Sequence, residues 1–184
     1  MPLSIKIVTT ANRTRFFHQS DERQVSKSLA LLAGVNPIFS ASSLMLSSSL
    51  QTEVFSPRRI ALIELEGAAL LPRAPGPGDV RITAIDVEEA APVIQLDDAA
   101  PATFRVDFYF VGGYVLSTQV DVDNTDVTFA DRTRRVTQLF EVPQIWYKTA
   151  GNGVGLINPA SMTRAVITPS GDTLPADALL VDDY

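Results

Sequence analysis

One histidine and a few carboxylates are the residues of this chain that could support hydrolytic chemistry. His18 is the single histidine among 184 residues, so any imidazole base must use it. Six serines lie between positions 40 and 49, but none lies in the Gly-x-Ser-x-Gly turn that exposes a catalytic serine. Glu64 and Glu66 lie two positions apart on a predicted strand and therefore on one face. Surface positions are the simpler interpretation of His18 and of both glutamates.

Asp121, Asp123 and Asp126 form an acidic segment that begins like a calcium-binding loop, in which carboxylates alternate along the chain. An EF-hand loop requires glycine at its sixth position and glutamate at its twelfth. This chain has Asp126 and Arg132 there. A looser metal site remains as the alternative, and we favour a solvated turn after a strand.

The segment 151–155 (GNGVG) is rich in glycine, as phosphate-binding loops are. A dinucleotide-binding fingerprint needs a third glycine three residues after the second, followed by a helix. Here the spacing differs, and Pro159 with the apolar residues around it indicates strands. We therefore predict a hairpin turn, and no cofactor.

Arg132, Arg134 and Arg135 could together bind an anion. Asp126 and Asp131 flank this cluster, so local ion pairs explain it more simply. The net charge of −6 and the isoelectric point near 4.7 argue against a nucleic-acid partner.

Aromatic residues are concentrated in the second half of the chain. Those on an outer face or at a hairpin end are candidates for anchoring a protein partner, because exposed aromatic side chains are enriched at interfaces. The candidate interface residues are Tyr109, Tyr114, Trp146 and Tyr147.

Composition excludes several classes of protein. The absence of cysteine rules out disulfide bonds, a thiolate zinc site and a cysteine nucleophile. No segment reaches the roughly 18 consecutive apolar residues that a membrane helix needs. No basic stretch followed by an apolar segment opens the chain. We therefore expect a soluble protein without a membrane partner, in the cytoplasm or within an assembled particle.

Periodicity predicts one clear helix and many strands. Val25, Leu29 and Leu32 recur at helical spacing, with Ser20 as N-cap, so we predict a helix over residues 21–33. The best hairpin spans residues 104–122, where alternating apolar residues flank Gly112-Gly113. Further strands are predicted at residues 3–7, 60–66, 80–87, 145–147 and 154–167. Residues 132–142 fit a helix and a strand equally well.

These elements predict an α+β fold in which strands dominate. The organisation we expect is a β-rich first half (1–67), a connection rich in Pro, Gly and Ala (68–103), and a β-rich second half with an acidic tail (104–184). The residues 54–61 (VFSPRRIA) and 156–163 (LINPASMT) share a pattern: two apolar residues, a small polar residue, proline, two variable positions, an apolar residue and a small one. The hypothesis that follows is an internal duplication, with two similar hairpin–helix–hairpin halves packed with pseudo-twofold symmetry.

The function that fits best is that of a non-catalytic assembly or protein–protein interaction subunit. It would bind itself or other protein subunits, as a homo-oligomer or within a multisubunit or phage-like particle. The first alternative is a small-ligand or metal-binding module that uses Asp121–Asp126 or a cleft between the halves. The second is a hydrolase-like enzyme that uses His18 or the glutamates Glu64 and Glu66.

Overall fold

A computed structural model describes residues 2–32, 37–48, 50–67, 80–86, 102–122, 137–151 and 153–168. Strands dominate these residues, as the sequence predicts. The strands are β1 (Leu3–Thr9), β2 (Thr14–Gln19), β3 (Leu44–Ser47), β4 (Thr52–Phe55), β5 (Ile60–Glu66), β6 (Val80–Ala84), β7 (Ala102–Phe110), β8 (Val115–Val122), β9 (Ile145–Lys148), β10 (Val154–Ile157) and β11 (Met162–Thr168). One α-helix, α1 (Glu22–Leu32), and three short 3₁₀ turns (Ile38–Ser40, Pro57–Arg59 and Pro159–Ser161) complete the described part.

Nine strands form one mixed sheet in the order β11-β7-β8-β6-β9-β10-β5-β1-β2. All neighbours in it are antiparallel except β6 and β9, which are parallel and are joined at Thr83 and Lys148. The hairpin β3–β4 forms a separate two-stranded sheet. Strands β2 and β11 are therefore the two edges of the large sheet among the described residues.

Helix α1 begins and ends close to its predicted limits. The backbone N–H of Gln24 donates to Asp21 Oδ1 at 2.9 Å, so Asp21 caps the helix in place of the predicted Ser20. Val25, Leu29 and Leu32 are buried, as their spacing predicts.

Strand β5 is buried on both faces, and the sheet around it separates two cores. The helix-side core, which α1 and β3 cover, comprises Leu3, Ile5, Ile7, Val25, Leu29, Leu32, Ile38, Phe39, Leu44, Ile60, Ile63, Leu65 and Leu156. The hairpin-side core comprises Val8, Ala61, Leu62, Val80, Ile82, Phe104, Val106, Phe108, Phe110, Leu116, Val120, Val122, Leu139, Ile145, Tyr147 and Ile157. Because side chains alternate along a strand, β1 and β5 supply residues to both cores.

The sheet curls so that the β7–β8 hairpin tip lies against the β1–β2 turn. A Cβ added to Gly112 would lie 2.0 Å from the carbonyl oxygen of Thr10, and Gly112 has φ +89. Both the close approach and the left-handed backbone require glycine there. The N–H of Val111 donates to the Ser161 carbonyl at 2.9 Å, which ties the same tip to the turn before β11.

Several predicted strands have different limits in the structure. The hairpin at 104–122 is confirmed as β7 and β8, whereas β6 ends at Ala84 and not at residue 87. In the ambiguous segment 132–142, residues 137–138 are helical and residues 139–143 form turns and bends, while 132–136 lie outside the described residues. Residues 154–167, predicted as one strand or a strand pair, form two strands, β10 and β11, because Pro159 begins a 3₁₀ turn between them.

The two halves share an order of elements. In the first half, β5 and β2 flank β1, and in the second, β11 and β8 flank β7. In each half a two-stranded hairpin and a 3₁₀ turn with proline at its start precede the last of these strands. A common origin of the halves is a separate matter and stays a hypothesis.

Candidate functional site

The outer edge of β2 offers backbone groups to a partner. The N–H of Thr9 donates to the Arg13 carbonyl at 2.9 Å, and Val8 pairs with Thr14 in the next position of the ladder. Hydrogen-bonded and non-hydrogen-bonded pairs alternate in an antiparallel ladder. Thr14 is therefore in a non-hydrogen-bonded pair, and so are Phe16 and His18, two and four positions further along β2. The backbone N–H and C=O groups of these three residues point away from β1. No described strand pairs with that side of β2.

A groove of about 1240 Å³ runs beside this edge. Strand β2, helix α1 and the hairpin β3–β4 form its walls, and we call it the β2 groove. Its apolar lining includes Ile5, Phe17, Leu32 and Leu44, which belong to the helix-side core or pack against it. Apolar side chains of the core thus form part of the groove wall.

Large apolar side chains are unusually exposed around the β2 groove. Met45 is 64% and Leu31 is 56% exposed, and both line the groove. Phe16, at the same edge, is also 64% exposed, and its side chain points to the other face of β2. On the β3–β4 hairpin beside them, Val54 is 63% and Leu50 is 94% exposed. Single exposed apolar residues are common on proteins, but several of them around one sheet edge are typical of a binding surface.

An ion pair joins the two strands that flank the groove. Arg15 of β2 makes a two-point contact with Glu53 of β4, in which Nε donates to Oε2 at 3.0 Å and Nη2 donates to Oε1. Gln51 Nε2 also donates to Glu53 Oε1, at 3.1 Å. The hydrogen bond and the charge of Glu53 raise the pKa of Arg15. Glu53 thus offsets the positive charge of Arg15 beside the free edge.

A row of residues with mostly polar side chains crosses the face of the sheet opposite helix α1. Lys6, Glu64, Gly155 and Tyr147 are register neighbours on β1, β5, β10 and β9. Lys6 Nζ lies 2.7 Å from Glu64 Oε2, and the Tyr147 hydroxyl donates to Glu64 Oε1 at 2.7 Å. Since Gly155 has no side chain, the Tyr147 ring lies over β10 and reaches the carboxylate two strands away. We call these four residues the polar row.

Burial and charge raise the pKa values of the tyrosine and the lysine in this row, which favours a protonated tyrosine and a charged lysine. Burial, and then the charge and hydrogen bond of Glu64, raise the pKa of Tyr147 well above its usual value. Burial acts to lower the pKa of Lys6, but the hydrogen bond and charge of Glu64 outweigh it and raise the pKa overall. Burial is also the main cause that raises the pKa of Tyr114, which lies near Lys6. At neutral pH Lys6 therefore carries a charge and Tyr147 is a neutral phenol.

Ser4 and His18 bring a hydroxyl and an imidazole together at the sheet edge. Ser4 Oγ lies 2.9 Å from His18 Nδ1, and both residues are accessible to solvent. A catalytic serine needs its base oriented by a third group. Glu66 is the register neighbour of Ser4, but its Oε1 accepts a hydrogen bond from Thr149 Oγ1, at 3.3 Å. Within the described ranges, no acidic side chain bonds to His18.

The four candidate interface aromatics do not share one surface. Tyr109 is half-buried with the Arg164 guanidinium 4.0 Å from its ring centre, and half-buried Tyr114 packs near Phe110. Trp146 packs against the helix-side core, whereas its neighbour Tyr147 belongs to the hairpin-side core. Tyr147 is 0% exposed, so its ring is part of the core of this chain, and the role of these four residues at an interface stays a prediction.

The acidic and basic candidates fall largely outside the described residues. Asp121 is half-buried and accepts hydrogen bonds from Thr103 Oγ1 at 2.8 Å and Gln119 Nε2 at 3.0 Å. The other five candidates lie outside the described residues: Asp123, Asp126, Arg132, Arg134 and Arg135. Where the structure describes the chain, no three His, Asp or Glu side chains are grouped closely enough to hold a metal ion.

The exposed residues of the β2 groove were not predicted from the sequence, although one signal was present. Phe16 and Phe17 are consecutive on a strand, so they must point to opposite faces. Phe17 packs against the helix-side core, and Phe16 is left exposed. Two adjacent aromatic residues on an edge strand therefore indicate that one of them faces solvent.

No family model, curated protein or solved structure matches this chain. Among the described helices, none is long and apolar enough to cross a membrane. The functional argument therefore rests on the surfaces and contacts given above.

Proposed function

We propose that this chain is a non-catalytic interaction subunit that binds an extended protein segment along the free edge of β2. The observation that carries the proposal is the outer edge of β2, with which no described strand pairs, flanked by exposed Phe16 on one face and by Met45 of the groove on the other, each 64% exposed. Peptides that add a strand to a sheet gain affinity from backbone hydrogen bonds and specificity from adjacent side-chain pockets. The β2 edge supplies the backbone hydrogen bonds, and the β2 groove supplies the side-chain pockets.

The chemistry of the polar row supports a structural role for its charged groups. Glu64 is occupied on both oxygens, by Lys6 and Tyr147, and Tyr147 is 0% exposed. A general acid or base must reach its substrate directly or through one water molecule. A carboxylate held by two partners beneath a buried ring is better suited to positioning strands than to moving protons.

The proposal includes the setting in which such a subunit works. The partner is an assembly component, either a further copy or another subunit of a multisubunit or phage-like particle, in the cytoplasm or in the particle itself. We also propose that the two halves arose by duplication. The shared order of strands and the matching positions of Pro57 and Pro159 support this.

Selection from a displayed library of extended peptides tests the proposed binding surface. Peptides that bind the purified chain are expected to lose affinity about tenfold or more for Phe16→Glu, because a charge replaces an apolar contact and costs at least about 1.4 kcal/mol. Val115→Glu is the matched control, since Val115 is 39% exposed and lies on β8, away from the groove. Binding that is unchanged by Phe16→Glu, or equally reduced by both variants, would overturn the proposal.

Hydrogen exchange provides a second readout that does not depend on a substitution. Bound peptide is expected to slow exchange at the amides of Thr14, Phe16 and His18, which point away from β1. The amides of Arg15 and Phe17 already bond to β1 and should change little. Protection that is absent from the three outward amides would contradict strand addition even if the peptide binds.

A further inference from the structure

We propose that the partner at this edge is a second copy of the chain, whose β2 pairs antiparallel with the first β2 about a twofold axis at Phe16. This rests on the proposed function and names the partner of the same surface. The pairing would join the two large sheets edge to edge. It is a closed, self-complementary arrangement in which each copy uses the same residues.

The register follows from which backbone groups of β2 are free. Outward groups must face outward groups, so Thr14, Phe16 and His18 of one copy must face residues of the same set in the other. With the axis at Phe16, Thr14 faces His18 of the second copy, and Phe16 faces its own counterpart. All three outward residues of the strand are then paired within its six-residue length.

Charge and chain geometry disfavour the two neighbouring registers. With the axis at Arg15, two arginines face each other directly, and like charges opposite one another destabilise a strand pair. With the axis at Phe17, Thr14 must pair with Ser20, which lies beyond β2 and directly before the cap of α1. The register at Phe16 instead sets Arg15 beside Phe17 of the second copy, and Glu53 already offsets the Arg15 charge.

The two edges of the large sheet differ in their protection against pairing. Native edge strands are blocked by bulges, prolines or charged side chains, lysine especially. Strand β11 has a register shift between Met162 and Arg164, and Arg164 lies over Tyr109. Strand β2 pairs with β1 without a shift and contains neither proline nor lysine. Its one arginine, Arg15, is paired with Glu53, so this edge, next to exposed Phe16, is suited to pairing.

Because the chain contains no cysteine, single introduced cysteines can report the register directly. In the proposed dimer the two Cα atoms at position 16 lie about 5.5 Å apart, within the range of about 4.4–6.8 Å that disulfides span. The self-pairs at positions 15 and 17 are diagonal, at about 7–8 Å. Mild oxidation should therefore give several-fold more covalent dimer for Phe16→Cys than for Arg15→Cys or Phe17→Cys.

A mixed pair keeps Phe16 in place, in case its ring is needed for dimerisation. Thr14→Cys mixed with His18→Cys should form the covalent heterodimer in preference to either homodimer. Dominant self-crosslinking at position 17, or equal crosslinking at all positions, would overturn the proposed register.

Native mass spectrometry of the unmodified chain separates this inference from the proposed function. We expect twice the 19.9 kDa subunit mass, a dimer that is lost in Phe16→Lys and retained in Val115→Lys, with circular dichroism to verify folding. A monomer that gives no specific crosslink, yet binds peptides through Phe16, would overturn the self-pairing and leave the proposed function standing. A monomer whose peptide binding does not depend on Phe16 would overturn both.

Discussion

The hairpins β3–β4 and β9–β10 hold the same place in their two halves but have different environments. Each precedes a 3₁₀ turn that begins with proline and leads into a long strand. Every residue of β10 is buried, and β9–β10 lies within the large sheet. The hairpin β3–β4 forms a sheet of its own, on which Met45 and Val54 are mostly exposed. One hairpin is buried within the large sheet, and the other carries exposed apolar side chains.

The difference begins with one residue on each second strand. Counted back from the 3₁₀ turn, Glu53 of β4 corresponds to Gly155 of β10. Gly155 leaves room for the Tyr147 ring, which reaches Glu64 of β5. Glu53 instead pairs with Arg15 of β2. The hairpin with glycine at this position, β9–β10, lies in the large sheet, where the glycine leaves room for the neighbouring ring. The hairpin with a charged side chain there, β3–β4, forms a separate sheet.

Filling the space over β10 should produce the largest loss of stability. In Gly155→Ala the new Cβ would lie 2.1 Å from the Tyr147 ring, so the buried ring must move and its bond to Glu64 must break. We expect a loss of about 3 kcal/mol in the free energy of unfolding, measured by urea denaturation. Glu53→Ala is the matched control and should cost much less. Equal losses at the two positions would refute the explanation given for the two hairpins.

The turns that follow the two hairpins offer a second comparison. Asn158 is 2% exposed, and its Nδ2 donates to the carbonyls of Ile60 at 2.8 Å and Pro57 at 3.3 Å. Ser56, the corresponding residue, is exposed and makes no side-chain cap. Asn158→Ala should therefore cost about 2 kcal/mol, because it removes the buried hydrogen bond to the Ile60 carbonyl and the bond that Asn158 Oδ1 accepts from the Ala160 N–H.

Ser56→Ala serves as the control for this turn and should change stability by roughly 0.5 kcal/mol or less. Thermal or urea unfolding of both variants makes the measurement. If Ser56→Ala and Asn158→Ala lower the free energy of unfolding equally, the two turns contribute equally to stability. The halves are then linked by contacts other than those of Asn158.

The polar row should make the buried hairpin sensitive to alkaline pH. The raised pKa values of Tyr147 and Lys6 mean that the folded chain retains protons that the unfolded chain loses. Stability is then full below the ordinary tyrosine pKa of about 10 and falls as pH rises above it, by up to about 1.4 kcal/mol per pH unit for each proton. Tyr147→Phe should cost about 1.5 kcal/mol at neutral pH and make the alkaline decline shallower.

Unfolding curves between neutral and alkaline pH measure this effect. Tyr109→Phe leaves the polar row intact, so it should retain the wild-type pH dependence. An alkaline decline that is as steep in Tyr147→Phe as in the wild type would show that the buried hydroxyl contributes nothing to it.

Part of the fold could be predicted because its signals are local. Helix α1 follows from the spacing of Val25, Leu29 and Leu32, and the β7–β8 hairpin follows from alternation around Gly112-Gly113. The candidate surface could not be found in the same way. Whether Phe16 is core or surface depends on whether another strand lies beyond β2, and no residue near Phe16 encodes that.

The sequence by itself determined where strands, helix and turns form, since periodicity, prolines and glycines act over a few residues. Only the tertiary structure decided which strands became neighbours. It set β5 between β1 and β10, buried Tyr147 over Gly155 and left the outer side of β2 without a partner among the described strands. These outcomes depend on contacts between residues far apart in the chain, because burial depends on what packs against a residue and not on its type alone.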